Sequence, residues 1–154
     1  MIGFVDDTPA KQLSLVHGHR VHGRDAFSRW PQARVLAVPG SPSSYRSRGE
    51  VIDGLALPTS RFATIIHPSA RVSPLATIGR NVLIMAGVVV TSNAAIGDHV
   101  CVLPNTVIHH DVVIGAKCLI GSNVTIAGGV RLEENCYIGS GTSVMNDLRI
   151  GAAS

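Results

Sequence analysis

The amino-acid sequence predicts a mainly β protein, a parallel β-helix of about five coils preceded by a small α/β domain. Three observations support this prediction. Aliphatic residues recur at every sixth position from residue 66 onward, small or apolar residues fill a second place in each hexad, and turn-forming residues separate the hexads. A period of six excludes an α-helical face, whose apolar stripe returns after three and four residues.

The aliphatic slots run without an insertion to the end of the β-helix region. Fifteen consecutive hexads carry Ile, Val or Leu at the same place, and the β-branched bias favours one short strand in each hexad. Four residues after each slot, a second inward place holds Ala, Val, Thr, Cys or Leu. The slots are Ile66, Val72, Ile78, Ile84, Val90, Ile96, Val102, Ile108, Ile114, Ile120, Ile126, Leu132, Ile138, Val144 and Ile150.

Turn residues allow the chain to bend after each strand. Three places after the slot, ten hexads carry Asn, Asp or Gly, the types that accept a left-handed backbone at little cost. Three bends close a triangle, so one coil takes eighteen residues and stacks on the next at roughly 4.8 Å. The crossover rule for parallel strands would make these coils right-handed. The ten turn residues are Asn81, Gly87, Asn93, Asn105, Asp111, Asn123, Gly129, Asn135, Gly141 and Asp147.

Residues 1–65 have a different pattern, which indicates an α/β segment. Residues 2–5 form a short apolar run that ends at an Asp-Asp-Thr-Pro turn signal, and residues 35–38 form a second run stopped by Pro-Gly. Helices are predicted over residues 23–30 and 43–55. The boundary with the β-helix is predicted near residue 65.

Charge and composition exclude several functional classes. The formal net charge is only +3, and no basic cluster is interleaved with aromatic residues, so the sequence predicts no nucleic-acid partner. The first residues form neither a secretory signal nor a membrane span, so no membrane partner and a cytoplasmic location are expected.

Four pieces of the sequence, in order, resemble the bacterial hexapeptide-repeat sugar O- and N-acetyltransferases. They are Gly-Phe-Val-Asp-Asp at 3–7, Ile-His-Pro-Ser-Ala at 66–70, the hexad run, and Ile-His-His-Asp-Val-Val-Ile-Gly at 108–115. The resemblance covers nearly the whole chain and includes sialic acid O-acetyltransferases and N-acetyltransferases of nucleotide-linked 4-amino sugars. Compared with that family, the chain is expected to lack the first strand with its Gly-rich loop and the last coil or two.

The resemblance implies both an architecture and a function. It implies left-handed coils, a homotrimer with acetyl-CoA between two subunits, a Rossmann-like substrate-side domain at 1–65 and an acyltransferase domain at 66–154. The implied reaction is transfer of acetyl from acetyl-CoA to the amino group of a nucleotide-linked amino sugar. The alternatives are O-acetylation of sialic acid or another sugar, and a catalytically inactive trimeric scaffold.

Acetyl transfer needs a group that takes a proton from the acceptor, and His110 is the candidate general base. A neutral imidazole suits this task near neutral pH, and Asp111 beside it favours the charged form as the proton arrives. The resemblance places the base at the same His-acid pair. The alternative is that His110 only decorates a turn. His109 is expected to face solvent, and Leu119 stands where many relatives carry a second His.

Other site residues are implied by the resemblance alone. The Gly128 amide is expected to face the thioester carbonyl, where it would stabilise an oxyanion, although Gly128 and Gly129 also suit an ordinary turn. Ser140 and Gly141 are expected to bind acetyl-CoA one coil further along. Asp6 and Asp7 are expected to contact the sugar nucleotide, although Asp-Asp-Thr-Pro is also a good turn and helix start.

The three cysteines are predicted to be reduced core residues rather than a redox or metal motif. Cys101, Cys118 and Cys136 lack the short spacing that chelation or thiol exchange uses, and the last two are one coil apart in the same inward place. Zinc-dependent carbonic anhydrases on this fold are the rival enzyme class. Because His99, His109 and His110 do not have the spacing of a three-His site, no metal is expected.

Overall fold

The structure is a computed structural model that describes residues 1–154, and it consists of two compact units, residues 1–34 and 35–154. Apart from the first three strands, all strands belong to the second unit, where they form a β-helix. The β-helix begins at residue 65, and residues 35–64 belong to the same unit as the β-helix rather than to residues 1–34. None of the helices is both long enough and apolar enough to cross a membrane.

The first unit contains three short strands and one helical turn. β1 (Phe4–Val5) pairs in parallel with β3 (His19–His22), and β3 pairs in antiparallel with β2 (Leu15–Val16). β2 and β3 form a hairpin whose two turn residues, His17 and Gly18, both have positive φ. This hairpin was not predicted. The predicted helix over 23–30 is present only as the turn α1 (Ala26–Arg29).

Fifteen two-residue strands, one per hexad, build the β-helix of the second unit. They stack into three parallel five-stranded sheets, and each strand pairs with the one eighteen residues away, as in the Ile84–Val102 and Val102–Ile120 rows. The strands are β4 (Ile65–Ile66), β5 (Arg71–Val72), β6 (Thr77–Ile78), β7 (Leu83–Ile84), β8 (Val89–Val90), β9 (Ala95–Ile96), β10 (Cys101–Val102), β11 (Val107–Ile108), β12 (Val113–Ile114), β13 (Leu119–Ile120), β14 (Thr125–Ile126), β15 (Arg131–Leu132), β16 (Tyr137–Ile138), β17 (Ser143–Val144) and β18 (Arg149–Ile150).

The three sheets form the sides of a prism with a triangular cross-section. Sheet A contains β4, β7, β10, β13 and β16; sheet B contains β5, β8, β11, β14 and β17; sheet C contains β6, β9, β12, β15 and β18. The predicted fold class, a left-handed parallel β-helix of five coils after a small α/β part, is confirmed. The predicted turn residues are confirmed as well, since all ten have positive φ.

The core lies inside the prism and consists of the aliphatic slots and the second inward places. From Val82 to Cys136 these side chains are almost all inaccessible, and they form one continuous cluster. The end coils differ because nothing stacks on their outer side. Ile66 in the first coil is 43% exposed and Leu148 in the last is 49% exposed.

The cysteines are buried, and two of them stack as predicted. The backbone amide of Cys136 approaches Sγ of Cys118 at 3.4 Å, and each thiol donates to a carbonyl fifteen residues further on, Glu133 or Gly151, at 3.1 Å. Burial raises the pKa of the Cys118 thiol to about 12, so it remains protonated. These thiols therefore act as core side chains that satisfy corner carbonyls.

Residues 35–64, which we term the strap, cover sheet A. Val35 forms a single parallel bridge to Phe62 in place of the predicted strand over 35–38, because the backbone of Ala37 pairs instead with a side chain of the β-helix. The predicted helix over 43–55 is a 3-10 turn (Tyr45–Ser47) followed by α2 (Arg48–Asp53). Ala37, Ile52 and Phe62 form a second small core.

The strap is bonded to every coil along the corner between sheets C and A. The corner residues are spaced by eighteen and all have positive φ, including three that are not typical turn formers, His99, Lys117 and Ala153. The contacts are Asn81 to the backbone of Ala37, the His99 carbonyl to Arg48, Lys117 to Asp53, Asn135 to the carbonyl of Arg46, and the Ala153 carbonyl to Tyr45.

Arg48 is the most buried charged side chain, at 1% exposure. Its guanidinium donates to the carbonyls of Pro39 and His99 rather than to a carboxylate, and burial lowers its pKa. At this point of the strap, carbonyl acceptors take the place of an ion pair. Cys101 and Leu119 also lie on sheet A, next to the inward aliphatic slots, and both are buried, at 5% and 7% exposure.

Candidate active site

The candidate base, His110, lies at the corner between sheets B and C, in the turn that joins β11 to β12. Its Nδ1 lies 2.8 Å from Oδ2 of Asp111, and both side chains are more than half exposed. A carboxylate only accepts hydrogen bonds, so Nδ1 must carry a proton. In the neutral ring the lone pair is therefore on Nε2, the atom that takes a proton in general-base catalysis.

Asp111 remains ionised because it is bonded at both oxygens. Oδ2 contacts the His110 ring, and Oδ1 accepts a 3.1 Å hydrogen bond from Nδ2 of Asn93. These two hydrogen bonds, that of His110 first, lower the pKa of Asp111. A negative charge next to the ring stabilises the imidazolium that forms when Nε2 is protonated.

Gly128 lies one coil above His110 at the same corner, against its ring. A Cβ on Gly128 would lie 2.7 Å from Cε1 and 2.8 Å from Nε2 of His110. Only glycine leaves room for the ring in this position. The left-handed residue of the turn is Gly129, with φ of +73°, so the space beside the ring explains Gly128 and backbone geometry explains Gly129.

The backbone of Gly128 is bonded on one side only. Its carbonyl accepts a hydrogen bond from the Asp147 amide at 3.1 Å, whereas its own N–H takes part in no backbone hydrogen bond. Gly128 packs against Nε2 of the candidate base, and a free backbone N–H on such a residue is a suitable donor for an oxyanion formed close to that base. His110, Asp111 and Gly128 are thus brought together.

The other predicted site residues lie elsewhere. Ser140 and Gly141 are at the corner between sheets A and B, which is the other edge of sheet B from His110. There the Ser140 hydroxyl accepts the Ser122 amide at 3.1 Å, and Gly141 has φ of +77° with open space around it. A single chain does not bring these residues to His110.

Asp6 and Asp7 are engaged within the first unit. Oδ1 of Asp6 accepts the Thr8 amide at 2.9 Å and Oδ2 contacts Lys11, and these contacts, that of Lys11 first, lower the pKa of Asp6 to about 2. Asp7 forms a two-pronged ion pair with Arg24 that lowers the pKa of Asp7. The Asp6–Thr8 bond precedes a 3-10 turn, Pro9–Lys11, which is the turn that Asp-Thr-Pro also predicted.

The sequence also singled out His109 and Leu119 in connection with His110. His109 is partly buried and makes none of the bonds that hold His110. Leu119 lies on sheet A, which does not adjoin the corner between sheets B and C, and it is 7% exposed, so it does not approach His110 from within the same chain.

Asn93 makes a contact at the candidate site that the sequence did not predict. It was predicted only as a turn residue, one of ten with the same periodic position. The signal that could have revealed this contact is the spacing of eighteen residues between Asn93 and Asp111, because the eighteen-residue coil stacks the two turns.

Comparison with known proteins places this arrangement in context. The family described as GMPPB C-terminal domain matches residues 61–153, well over half of the chain. No curated protein matches the chain.

Two solved structures resemble the chain over nearly its whole length. One is a histidine-to-asparagine mutant of perosamine N-acetyltransferase from Caulobacter crescentus in complex with CoA and GDP-perosamine, with a TM-score of 0.76, 25% identity, and coverage of 96% of this chain and 78% of that one. The other is the acetyltransferase domain of PglB from Neisseria gonorrhoeae in complex with acetyl coenzyme A, with a TM-score of 0.76, 26% identity, and coverage of 97% and 72%.

WeeI from Acinetobacter baumannii has a TM-score of 0.77 over 98% of this chain and 72% of its own, but at 19% identity it shows the shared fold alone. The predicted resemblance to hexapeptide-repeat sugar acetyltransferases is confirmed, and so is the predicted enzyme class, an acyltransferase.

Proposed function

We propose that this chain, which belongs to the GMPPB C-terminal domain family, transfers acetyl from acetyl-CoA to the amino group of a nucleotide-linked amino sugar, with His110 as general base. The observation that carries the proposal is the 2.8 Å contact between Nδ1 of His110 and the Asp111 carboxylate, which requires a proton on Nδ1 and leaves Nε2 as a base against Gly128. The acceptor is inferred from the perosamine enzyme, whose structure contains CoA and GDP-perosamine.

The reaction follows from the positions of these groups. The acceptor nitrogen attacks the thioester carbonyl while Nε2 of His110 removes its proton, so a tetrahedral intermediate forms with negative charge on oxygen. The Gly128 N–H donates to that oxygen. The C–S bond then breaks, acetyl remains on the acceptor, and the thiolate of coenzyme A takes up the proton from His110, which regenerates the base.

The remaining contacts are assigned by the same proposal. Ser140 and Gly141 bind acetyl-CoA, Asp6 and Asp7 contact the sugar nucleotide, and the active species is a cytoplasmic homotrimer. Because Ser140 and Gly141 lie one corner away from His110, acetyl-CoA contacts both corners when it lies in a groove formed by two chains. Light scattering tests this assembly, and a purely monomeric species at moderate concentration would count against it.

Replacement of the base tests the proposal most directly. His110→Ala is expected to lower turnover by about 100-fold or more and to leave acetyl-CoA affinity nearly unchanged, because general-base catalysis acts on the transition state rather than on ground-state binding. Coenzyme A release is measured with a thiol reagent, using nucleotide-linked amino sugars and sialic acid as acceptors. His109→Ala is the matched control and is expected to be close to neutral.

The outcomes separate the candidate functions. Faster turnover with sialic acid than with amino sugars would favour O-acetylation. A chain that neither binds acetyl-CoA nor turns over any acceptor would be an inactive scaffold. Full activity in His110→Ala would remove the catalytic assignment.

A further inference from the structure

The hydrogen bonds around Asp111 extend to a residue in the preceding coil. Asn93 lies eighteen residues before Asp111, and the two occupy the same left-handed position of stacked turns, with φ of 60° and 59°. Nδ2 of Asn93 donates to Oδ1 of Asp111 at 3.1 Å, while Oδ2 of the same carboxylate contacts Nδ1 of His110 at 2.8 Å. The three side chains form a continuous hydrogen-bonded chain from one coil to the next.

The donors and acceptors in this hydrogen-bonded chain determine which atom of each side chain faces its neighbour. The amide oxygen of Asn93 would be repelled by a carboxylate, so the nitrogen must face Asp111. Asp111 is 57% exposed, so without a second bond its carboxylate is free to turn towards water and away from the ring. The Asn93 amide occupies Oδ1 and thereby directs Oδ2 at the imidazole.

We propose that Asn93 is a positioning residue that acts through Asp111 to hold His110 in the tautomer with its proton on Nδ1 and its lone pair on Nε2. The inference rests on the proposed function for its catalytic consequence. The tautomer itself is a property of the ring and is measurable whether or not the chain turns over an acceptor.

The competing explanation is that Asn93 serves only as a turn residue. The stacked turns of the same corner provide a test, because the equivalent position holds Asp111, Gly129 and Asp147, all with positive φ. Glycine and aspartate therefore both suit this backbone. Asn93→Gly removes the amide without backbone strain. Asn105→Gly, at a left-handed turn of another corner, is the matched control.

The first experiment measures ring tautomers by 15N NMR of the neutral His110 side chain. The unmodified protein and Asn105→Gly are expected to show the proton on Nδ1. Asn93→Gly is expected to show a mixture with the tautomer protonated on Nε2, because the hydrogen bond of the other nitrogen decides the tautomer. An unchanged tautomer in Asn93→Gly would overturn the proposal.

Kinetics supply the second measurement. Asn93→Gly is expected to lower kcat by about 5-fold, the scale of one net hydrogen bond, with the KM for acetyl-CoA unchanged. In an Asp111→Asn background the same substitution is expected to have no further effect, because residues that act in series are not additive. Equal losses in both backgrounds would refute action through Asp111.

Asn93→Asp keeps a residue that this backbone accepts, since aspartate fills the equivalent positions 111 and 147, but it removes the amide donor. Two carboxylates would then face each other across about 3 Å, which like charges disfavour, so kcat is expected to fall at least as far as in Asn93→Gly. Wild-type kcat in Asn93→Asp would refute action through Asp111. Absence of acetyl transfer in the unmodified protein would refute the proposed function, and the NMR result would still decide the role of Asn93.

Discussion

Substitution of Gly128 by alanine tests the packing of the candidate base. The new Cβ would lie 2.7 Å from Cε1, 2.8 Å from Nε2 and 3.2 Å from Nδ1 of His110. The backbone can accept alanine because φ at this position is not positive, and the N–H of residue 128 is retained. The substitution therefore changes one thing, the space available to the ring.

The size of the effect follows from that overlap. The ring has to retreat by about 0.7 Å before its nearest atom reaches ordinary van der Waals separation, and this movement alters the 2.8 Å contact between Nδ1 and Asp111. Misplacement of a catalytic group by about 1 Å costs on the order of 100-fold in rate, so we expect kcat to fall by roughly 10- to 100-fold.

The assay is steady-state release of coenzyme A, with Gly151→Ala as the control, since a Cβ at that glycine meets open space. In the His110→Ala background, where the ring is absent, Gly128→Ala is expected to have little additional effect. Wild-type kcat in the single variant would refute the packing argument and would leave the amide as the sole role of Gly128.

Two further predictions concern the strap. His99 is half-buried, and burial lowers its pKa, so the unfolded chain binds the proton more readily. The contribution of His99 to the free energy of unfolding should be fully present above about pH 6.5 and should be lost as the pH drops below it. Denaturant titrations across that range should show the fall, and a neutral substitute at His99 should reduce it. Asn81→Gly keeps the left-handed turn but removes the hydrogen bonds between the fully buried Asn81 and both backbone groups of Ala37. It should therefore lower the free energy of unfolding by about 1–3 kcal/mol and hasten proteolysis within residues 35–64. Cleavage at the wild-type rate would contradict the role assigned to the strap.

The sequence predicted the β-helix well because a single local rule repeats. Each hexad holds one inward aliphatic residue and one outward turn, so the period alone predicts that Ile108 stacks between Val90 and Ile126 in sheet B. The same period placed His110 on an outward turn. His110 and Asp111 are adjacent in sequence, so their contact could be predicted from the sequence alone.

The strap and the Asn93 contact were not predictable in the same way, because each depends on side chains far apart in sequence. Arg48 in a short helix gives no sign that it will be buried against the His99 carbonyl. His99 and Lys117 adopt left-handed turns although neither is a typical turn residue. Tertiary contacts with the strap accompany these conformations and are absent from any local pattern.

The strap has a consequence for how this protein can change in length. It begins at the first coil, where Ala37 contacts Asn81, and reaches the last coil, where Tyr45 contacts Ala153. It then returns to the middle coils through Arg48 and Asp53. The length of the strap is therefore matched to the height of the stack. In an ordinary repeat protein each repeat contacts only its neighbours, so no single segment ties the first repeat to the last.

Here, an extra coil inserted between residues 82 and 152 would move the far contact by one strand spacing, about 4.8 Å, while the strap stayed the same length. A coil removed from the same interval would leave slack of the same size. The length of the strap thus fixes the number of coils beneath it. A tandem duplication within that interval has to be matched by a compensating change between residues 35 and 64.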